Sequence, residues 1–321
     1  MRGNANSAML HDASFSQSSP RSILSARAFT QQARSVAGDL LSWGKEELAS
    51  LGPGESQAGA ERLLAGVLGV ERFRLYLGQG DEVSEEKAGD FRRLIAERKR
   101  RRPLAYLLGK VSFWNEILEV GPGCLIPRPE TELLVERFLE ESGFGKNDSF
   151  TFLDLGSGSG AIGIALLRHF PRARATFSDV SPEALEITQK NLGRYDLSNR
   201  AEIVCSDLFE SFRISGRGRK LNAVLSNPPY LSRADWETAQ PEILFEPRMA
   251  LDGGEDGLDF YRRIAREAPH HLVRGGWLAL EAGIHQAAKV SALLLENNFK
   301  NIRIFKDYAG IDRVVLAHTG S

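Results

Sequence analysis

The chain is short of the residues that usually announce a metal centre or a disulfide scaffold. Its 321 residues include only two cysteines, Cys124 and Cys205, far apart and without metal-ligand spacing. They are expected to be reduced, buried thiols in a reducing compartment. The six histidines are scattered, with no H-E-x-x-H or Cys/His cluster, so no metal site is expected. No run of about 18 apolar residues occurs, so no segment is expected to span a membrane. Neither sign of charge dominates: 41 Lys and Arg stand against 42 Asp and Glu, a net charge of −1. That balance argues against a protein that grips nucleic acid mainly through phosphates, and no sequence-specific nucleic-acid contact is expected. What remains is an ordinary globular composition, 42% hydrophobic and 26% charged, on a chain long enough for one large domain and a smaller one.

Two local departures stand out. Residues 1–37 are Ser-rich and carry Arg2, Arg21, Arg27 and Arg34 against one acid, Asp12. This resembles an organellar transit peptide or a floppy bacterial extension, and it lacks the apolar core of a secretory signal. A disordered extension on a cytoplasmic protein is expected, with organellar targeting left open. The run Arg98-Lys99-Arg100-Arg101-Arg102 reads either as the solvated end of a helix or as a contact for an RNA-rich or acidic partner.

Residues 38–102 are expected to form a small helical, substrate-docking domain. Leu40, Leu41, Leu48 and Leu51 recur at helical spacing until Gly52-Pro53-Gly54 breaks the run. Glu61–Leu68 and the stretch around Phe91, Leu94 and Ile95 supply two more amphipathic segments. Over 103–125, Tyr106, Leu108, Val111, Phe113, Ile117 and Val120, with Gly109 and Asn115 as turn candidates, predict a β-hairpin linker. Ile126-Pro127-Arg128-Pro129-Glu130-Thr131-Glu132 then leads into a helix ending near Gly143, with Thr131 or Glu130 as its expected cap.

Residues 126–321 are expected to be catalytic. From Phe150 onward strand-like and helix-like segments alternate, as in an α/β fold with a parallel sheet. Strands are expected over 150–155, 174–179, 200–205, 221–226, 275–281, 301–306 and 312–318, with helices over 160–169, 182–193, 257–271 and 285–297. Only Asp307-Tyr308-Ala309-Gly310-Ile311 separates the last two strands. That is too short for a crossover helix, so these strands must pair antiparallel. A seven-stranded sheet with one antiparallel strand resembles the Rossmann-like class I methyltransferase architecture. Ser215–Lys220 reads as a mobile basic loop.

The first strand runs into Asp154-Leu155-Gly156-Ser157-Gly158-Ser159-Gly160. Glycines there permit positive φ and close approach of backbone to a ligand. The loop is ambiguous, because Gly158-x-Gly160-x-x-Gly163 with Asp179 about twenty residues on also matches a dinucleotide fingerprint. A carboxylate at Asp154 is expected to repel a pyrophosphate but to suit the ammonium of a methionine moiety. Asp179 is placed for a ribose diol with either ligand. Asp207 is placed near an adenine amino group, with Leu208 as an apolar cover for the ring.

The fourth strand ends in Asn227-Pro228-Pro229-Tyr230, at the sheet edge where ligands bind in open α/β folds. Two prolines fix two φ angles and remove two donors, which makes a rigid turn. The Asn227 side-chain oxygen and the Pro228 carbonyl are acceptors suited to both N–H groups of a planar NH2. Holding that group localises its lone pair for in-line attack and stabilises the charge that develops on nitrogen. Tyr230 offers an aromatic face to the planar group. No Cys or Ser nucleophile is suggested.

Over roughly 38–318 the chain resembles the PrmC/HemK family of protein-(glutamine-N5) methyltransferases. The matching stretches are Pro103–Tyr106 with Gly109, Phe113-Trp114, Ile126–Glu132, Asp154–Ile162, the tetrapeptide, Glu246-Pro247-Arg248 with Ala250-Leu251, Gly253–Asp259, Glu281 with Gly283, and Lys306-Asp307 through Val315. The resemblance implies S-adenosyl-L-methionine as cofactor, held by Gly156, Ser157, Gly158, Ser159, Gly160, Asp179, Leu208 and Asn227. It implies a class I peptide chain release factor as protein partner, its Gly-Gly-Gln glutamine received by Asn227, Pro228, Pro229 and Tyr230. Leu208, where some relatives carry an aromatic residue, and Ala282 and Tyr308 depart from the family pattern. The competing readings are a ribosomal-protein glutamine methyltransferase, a DNA adenine methyltransferase, a dinucleotide-dependent oxidoreductase and a catalytically silent binding module.

Overall fold

The computed structural model describes residues 35–214 and 220–320. The expectations for the Ser- and Arg-rich start and for the basic loop lie outside these residues, with two exceptions. At the end of the 1–37 stretch expected to be disordered, Ser35 and Val36 pair with Val83 and Glu82, and Ala37 begins a helix. Lys220 Nζ donates to the His270 carbonyl at 2.6 Å.

The first described unit is built on three helices, α1 (Ala37–Glu47), α2 (Pro53–Leu68) and α3 (Glu85–Lys99). Pro53 opens α2, where its missing N–H costs nothing, and Gly69 closes it at φ 74°. Ser84 caps α3 by accepting from the Lys87 amide, with Glu85 and Glu86 in the first turn and Arg98 and Lys99 in the last, as the helix dipole favours. Leu40, Leu41, Leu63, Leu64, Phe91 and Ile95 fill the interior of this unit. Each such fully buried side chain contributes about 1.5–3 kcal/mol.

The linker departs from the expected hairpin at its start. Leu104–Leu108 is a short helix, so Tyr106 and Leu108 are helical, and Gly109 (φ 69°) ends that helix instead of turning a strand. The cause is tertiary: Leu108 packs so tightly on α2 that a Cβ at Gly66 would lie 2.8 Å from its Cδ2. The hairpin itself pairs Lys110–Phe113 with Glu116–Glu119, and Trp114 rather than Asn115 takes the left-handed turn conformation at φ 55°.

Helix α4 (Pro129–Glu141) has Arg128 as its N-cap with no side-chain cap bond. The cap expected from Thr131 or Glu130 is therefore absent. Thr131 lies inside the first turn, and its hydroxyl donates instead to the Glu281 carboxylate at 2.6 Å.

The sheet contains β1 (Thr151–Leu155), β2 (Arg174–Asp179), β3 (Ala201–Cys205), β4 (Leu221–Ser226), β5 (Leu272–Glu281), β6 (Phe299–Lys306) and β7 (Asp312–Thr319). Their spatial order is β6-β7-β5-β4-β1-β2-β3. β7 is antiparallel to both neighbours, and the other pairs are parallel. The short 307–311 connection thus dictates the pairing expected of it.

Strand alternation splits the core into two layers. Phe152, Phe177, Trp277 and Ala279 meet α4, α5 (Ala161–His169) and α6 (Pro182–Arg194). Leu153, Leu155, Val224, Leu278 and Leu280 meet α7 (Asp259–Glu267) and α8 (Ala287–Glu296) on the other face. The chain leaves β1 toward β2 and β3, then returns to β4 on the other side. That reversal opens a crevice at the carboxyl ends of β1 and β4.

The basic run at the end of α3 divides: Lys99 and Arg100 are exposed, as the solvated reading expects, whereas Arg98 is not. Arg98 is buried and ion-pairs with Glu55 at 2.6 Å and with Glu242 at 3.1 Å, and Arg101 reaches Glu242 at 3.2 Å. Lys99 pairs with Glu47, while Arg100 and Arg102 pair with Glu97. Of the two cysteines, Cys124 is buried as expected, whereas Cys205 is exposed at the end of an outer strand. No helix among the described residues is long and apolar enough to cross a membrane.

Candidate active site

The glycine loop leaves β1 with Gly156, Gly158 and Gly160 at φ 70°, 56° and 81°, all in the left-handed region. A Cβ on Gly156 or Gly158 would meet nothing within 4 Å. Glycine is needed there for backbone shape, and the space beside the loop stays open for a ligand. Gly156 and Ser157 amides donate to the Ser178 carbonyl at 2.7 and 2.9 Å. Gly158 donates to Asp179 Oδ2 at 2.9 Å. Gly163 acts through close packing. A Cβ there would lie 2.3 Å from Phe177 Cε1 and 2.9 Å from Asp154 Oδ2, so its absence lets α5 lie against the sheet.

The loop borders a cavity of about 280 Å3 in the β1–β4 crevice. Gly156, Gly158, Asp179, Asp207, Leu208, Asn227, Pro228 and Pro229 line it. Asp154, Ser157, Ser159, Gly160 and Tyr230 are not on its wall. Asp154 is buried beneath the loop, where Oδ2 accepts from the Gly163 amide at 2.8 Å and Oδ1 has no partner. Burial pushes its pKa up to about 8, with the Gly163 amide opposing and the charge of Asp179 adding to the rise. The buried hydroxyls of Ser157, Ser159 and Ser178 likewise lack partners. A carboxyl so easily protonated repels a pyrophosphate little, which removes the electrostatic objection based on its position in the sequence.

Asp179 lies at the end of β2 and accepts from Ser181 N and Gly158 N, both at 2.9 Å. Burial raises its pKa, and these amides with that of Val180 pull it back. Asp207 is ion-paired with Arg263 at 2.8 Å, an interaction invisible in the sequence. Leu208 takes φ 48°, a conformation that costs a non-glycine residue about 1–2 kcal/mol.

The turn after β4 is held from several sides. Ser226 Oγ donates to the Leu155 carbonyl at 2.6 Å, tying β4 to β1. Asn227 Nδ2 donates to Thr131 Oγ1 at 3.0 Å, while Asn227 Oδ1 is buried with no partner. The Tyr230 carbonyl accepts from Gln286 Nε2 at 2.9 Å. Burial pushes the Tyr230 phenol up to about 12, so it stays protonated. Three glycines press on this turn. A Cβ at Gly253 would lie 2.9 Å from the Pro229 oxygen, one at Gly257 2.4 Å from the Tyr230 oxygen, and one at Gly283 3.0 Å from the Tyr230 ring.

Several residues on the cavity wall were not anticipated: Gly123, Cys124 and Leu125, Val180, Ser181, Ala184 and Ser206, Pro247, Met249 and Ala250, and Phe260 with Arg263. Val180 and Ser206 adjoin Asp179 and Asp207 in sequence, which was signal enough. Leu125 and Met249 arrive through tertiary contacts. Buried Glu246 accepts from the Ile126 amide at 3.0 Å and from the Arg128 guanidinium at 2.5 Å, joining the two segments that carry them.

The donor set fits S-adenosyl-L-methionine. Asp179 and Asp207 border the cavity as acceptors for hydroxyl and amino groups. Among the described lining residues the one cation is Arg263, already engaged by Asp207. Nothing on the described wall is therefore free to neutralise a pyrophosphate.

A sheet of this order, with a glycine loop after β1 and a proline-stiffened Asn turn after β4, defines a class I methyltransferase. Residues 39–109 match the PrmC N-terminal domain and residues 129–312 the methyltransferase small domain. The release factor glutamine methyltransferase of Geobacter sulfurreducens is 38% identical over 88% of this chain and 96% of its own length. That of Aquifex aeolicus is 36% identical over 86% and 96%. Among solved structures, a release-factor-specific protein-(glutamine-N5) methyltransferase from Alicyclobacillus acidocaldarius is 32% identical, covering 64% of this chain and 100% of that one, with a TM-score of 0.37. The chain belongs to the release factor glutamine methyltransferase family. It is an S-adenosylmethionine-dependent protein-glutamine methyltransferase, and the dinucleotide reading of Gly158–Gly163 falls away.

Proposed function

We propose that this protein transfers a methyl group to the side-chain amide nitrogen of the glutamine in the Gly-Gly-Gln motif of class I peptide chain release factors. The observation that carries the reading is Asn227 Oδ1: a buried acceptor without a protein partner, beside Pro228 in the cavity wall. An unpaired buried acceptor costs about 1–3 kcal/mol, and an incoming N–H recovers it.

S-adenosylmethionine, when bound, supplies a methyl group on a positively charged sulfur. Asn227 Oδ1 and the Pro228 carbonyl each accept one N–H of the glutamine amide. They hold the nitrogen against rotation and favour the pyramidal form whose lone pair is free to attack. As the N–C bond forms and the C–S bond breaks, the same acceptors face the positive charge growing on nitrogen. One amide proton then leaves to water. Tyr230 packs against the planar group, an aromatic contact of about 1 kcal/mol. In this reading Gly156–Gly160, Asp179, Asp207 and Leu208 hold the cofactor, with Asp154 supporting the loop from below.

We also propose that residues 38–102 dock the release factor, 103–125 link, and 126–321 carry the chemistry. A release-factor substrate places the reaction where translation terminates, in the cytoplasm or in an organelle with its own ribosomes. The test is incubation with labelled S-adenosylmethionine and an intact class I release factor, followed by mass spectrometry. Label on the glutamine of the Gly-Gly-Gln peptide supports the reading, and label elsewhere or none overturns it.

A further inference from the structure

We propose that Thr131 and Glu281 are positioning residues that determine which end of the Asn227 amide meets the substrate. The inference rests on the methyl-transfer reading above. An asparagine amide has a donor end and an acceptor end of nearly the same shape. A substrate NH2 brings only donors, so an Asn227 turned the other way sets donor against donor.

The protein settles the orientation through a buried chain of three side chains. Thr131 has one hydroxyl proton. Glu281, buried at the end of β5, takes it on Oε2 at 2.6 Å. The Thr131 oxygen is left with lone pairs only, so the Asn227 atom 3.0 Å from it must be the donor Nδ2. Oδ1 is thereby left at the other end, buried and without a partner. The chain is anchored in turn, because the Glu281 carbonyl accepts from the buried Tyr261 hydroxyl at 2.8 Å. Asn227, Thr131 and Glu281 come from three segments distant in sequence, and the roles of Thr131 and Glu281 were not foreseen from the sequence.

The same chain makes the orientation sensitive to protonation. A protonated Glu281 can donate to Thr131, and the Thr131 hydroxyl is then free to donate to Asn227 Oδ1, which turns the amide around. The groups that face Glu281 are Thr131 and Glu130 of α4, Arg128 before it, Arg313 of β7 and Tyr230 after β4, with Tyr261 of α7 packed beside it. Burial pushes Glu281 up to about 7; Thr131 and Arg313 pull it down. Transfer is therefore expected to fall on the acid side as Glu281 gains its proton.

The experiment compares wild type, Thr131→Val, Thr131→Ser and Glu281→Gln in the full chain. It measures kcat and KM with an intact release factor across about pH 6–9, and cofactor Kd by calorimetry. Thr131→Val is expected to lose roughly tenfold or more in kcat with cofactor Kd within about threefold, and Thr131→Ser to recover to within about threefold of wild type. Glu281→Gln is expected to flatten the acid limb. Wild-type kcat in Thr131→Val, or equal impairment of Thr131→Ser and Thr131→Val, overturns the proposal. A second readout needs no substrate: with 15N-asparagine labelling, the Asn227 side-chain protons are expected to exchange slowly in wild type and fast in Thr131→Val. Equal exchange in the two overturns the proposal. Failure of wild type to methylate glutamine overturns instead the functional reading, and the exchange measurement still decides the positioning.

Discussion

Arg98 gives the sharpest test of how the helical unit is coupled to the site. It is 4% exposed, and it bridges Glu55 of α2 to Glu242 in the Pro241–Phe245 turn, within the stretch that matches the methyltransferase small domain. That turn runs directly into Pro247, Met249 and Ala250 on the cavity wall. Replacing Arg98 with Met removes the charge and keeps most of the apolar stem. Breaking a fully buried pair costs about 3–5 kcal/mol. Here the partners soften the loss: the Glu55 side chain is 60% exposed, and Glu242 is 20% exposed and retains Arg101. A loss of about 1–2 kcal/mol is expected once solvent screening is counted. This corresponds to a Tm drop of about 2–8 °C for a domain of this size. Glu242 feels burial, which raises its pKa, but bonds from its own backbone amide, Arg101 and Arg98 hold it below the ordinary carboxylate range. Its contribution is therefore present at neutral pH and lost as pH falls through that lowered value. The assay is a denaturant double-mutant cycle of Arg98→Met with Glu242→Gln, together with cofactor Kd for each variant. A coupling of about 0.5–2 kcal/mol and a weaker cofactor Kd are expected. Additivity within about 0.3 kcal/mol, or an unchanged Kd, refutes the clasp.

Three further outcomes follow from the site. Asn227→Ala should abolish methyl transfer while cofactor Kd, read by calorimetry, stays within about tenfold, since one lost hydrogen bond is worth about 1–3 kcal/mol; unchanged turnover would remove the proposed mechanism. Gly257→Ala places a Cβ 2.4 Å from the Tyr230 oxygen at a position of φ 73°. It should cost about 1–3 kcal/mol in chemical denaturation and depress kcat, and a variant as stable and active as wild type contradicts the packing account. Because the folded-state pKa of Glu281 is raised to about 7, the native state binds its proton more tightly than the unfolded chain, so its contribution to stability falls as pH rises from the ordinary carboxylate range to about 7. The melting difference between Glu281→Gln and wild type should accordingly grow in favour of the variant across that window, and a pH-independent difference would rule it out.

The fold was legible wherever a local rule dictated a global one. The five residues between β6 and β7 left no alternative to an antiparallel pair. What could not be read were the places where a residue's partner lies a hundred positions away. Thr131 looks like a helix cap because hydroxyls favour that role, yet it lies inside the first turn and its hydroxyl donates to Glu281, 150 residues on. Arg98 looks solvated because arginine usually is, yet Glu242 is waiting 144 residues later. The same limit explains Asp154. Position at a strand end suggested a carboxylate facing a ligand, but the close approach of α5 through Gly163 buries it and hands one oxygen to a backbone amide. Family resemblance did capture the glycines at 253, 257 and 283, though not their purpose. Propensity offers no reason for glycine at three separated loop positions; contact with Pro229 and Tyr230 supplies one, joined at Gly257 by a φ of 73°. These glycines act on the same turn that Thr131 and Glu281 fix from the other side. The geometry of Asn227-Pro228-Pro229-Tyr230 therefore depends on three other segments, at Thr131, at Gly253–Gly257 and at Glu281–Gly283, and the tetrapeptide alone does not contain it.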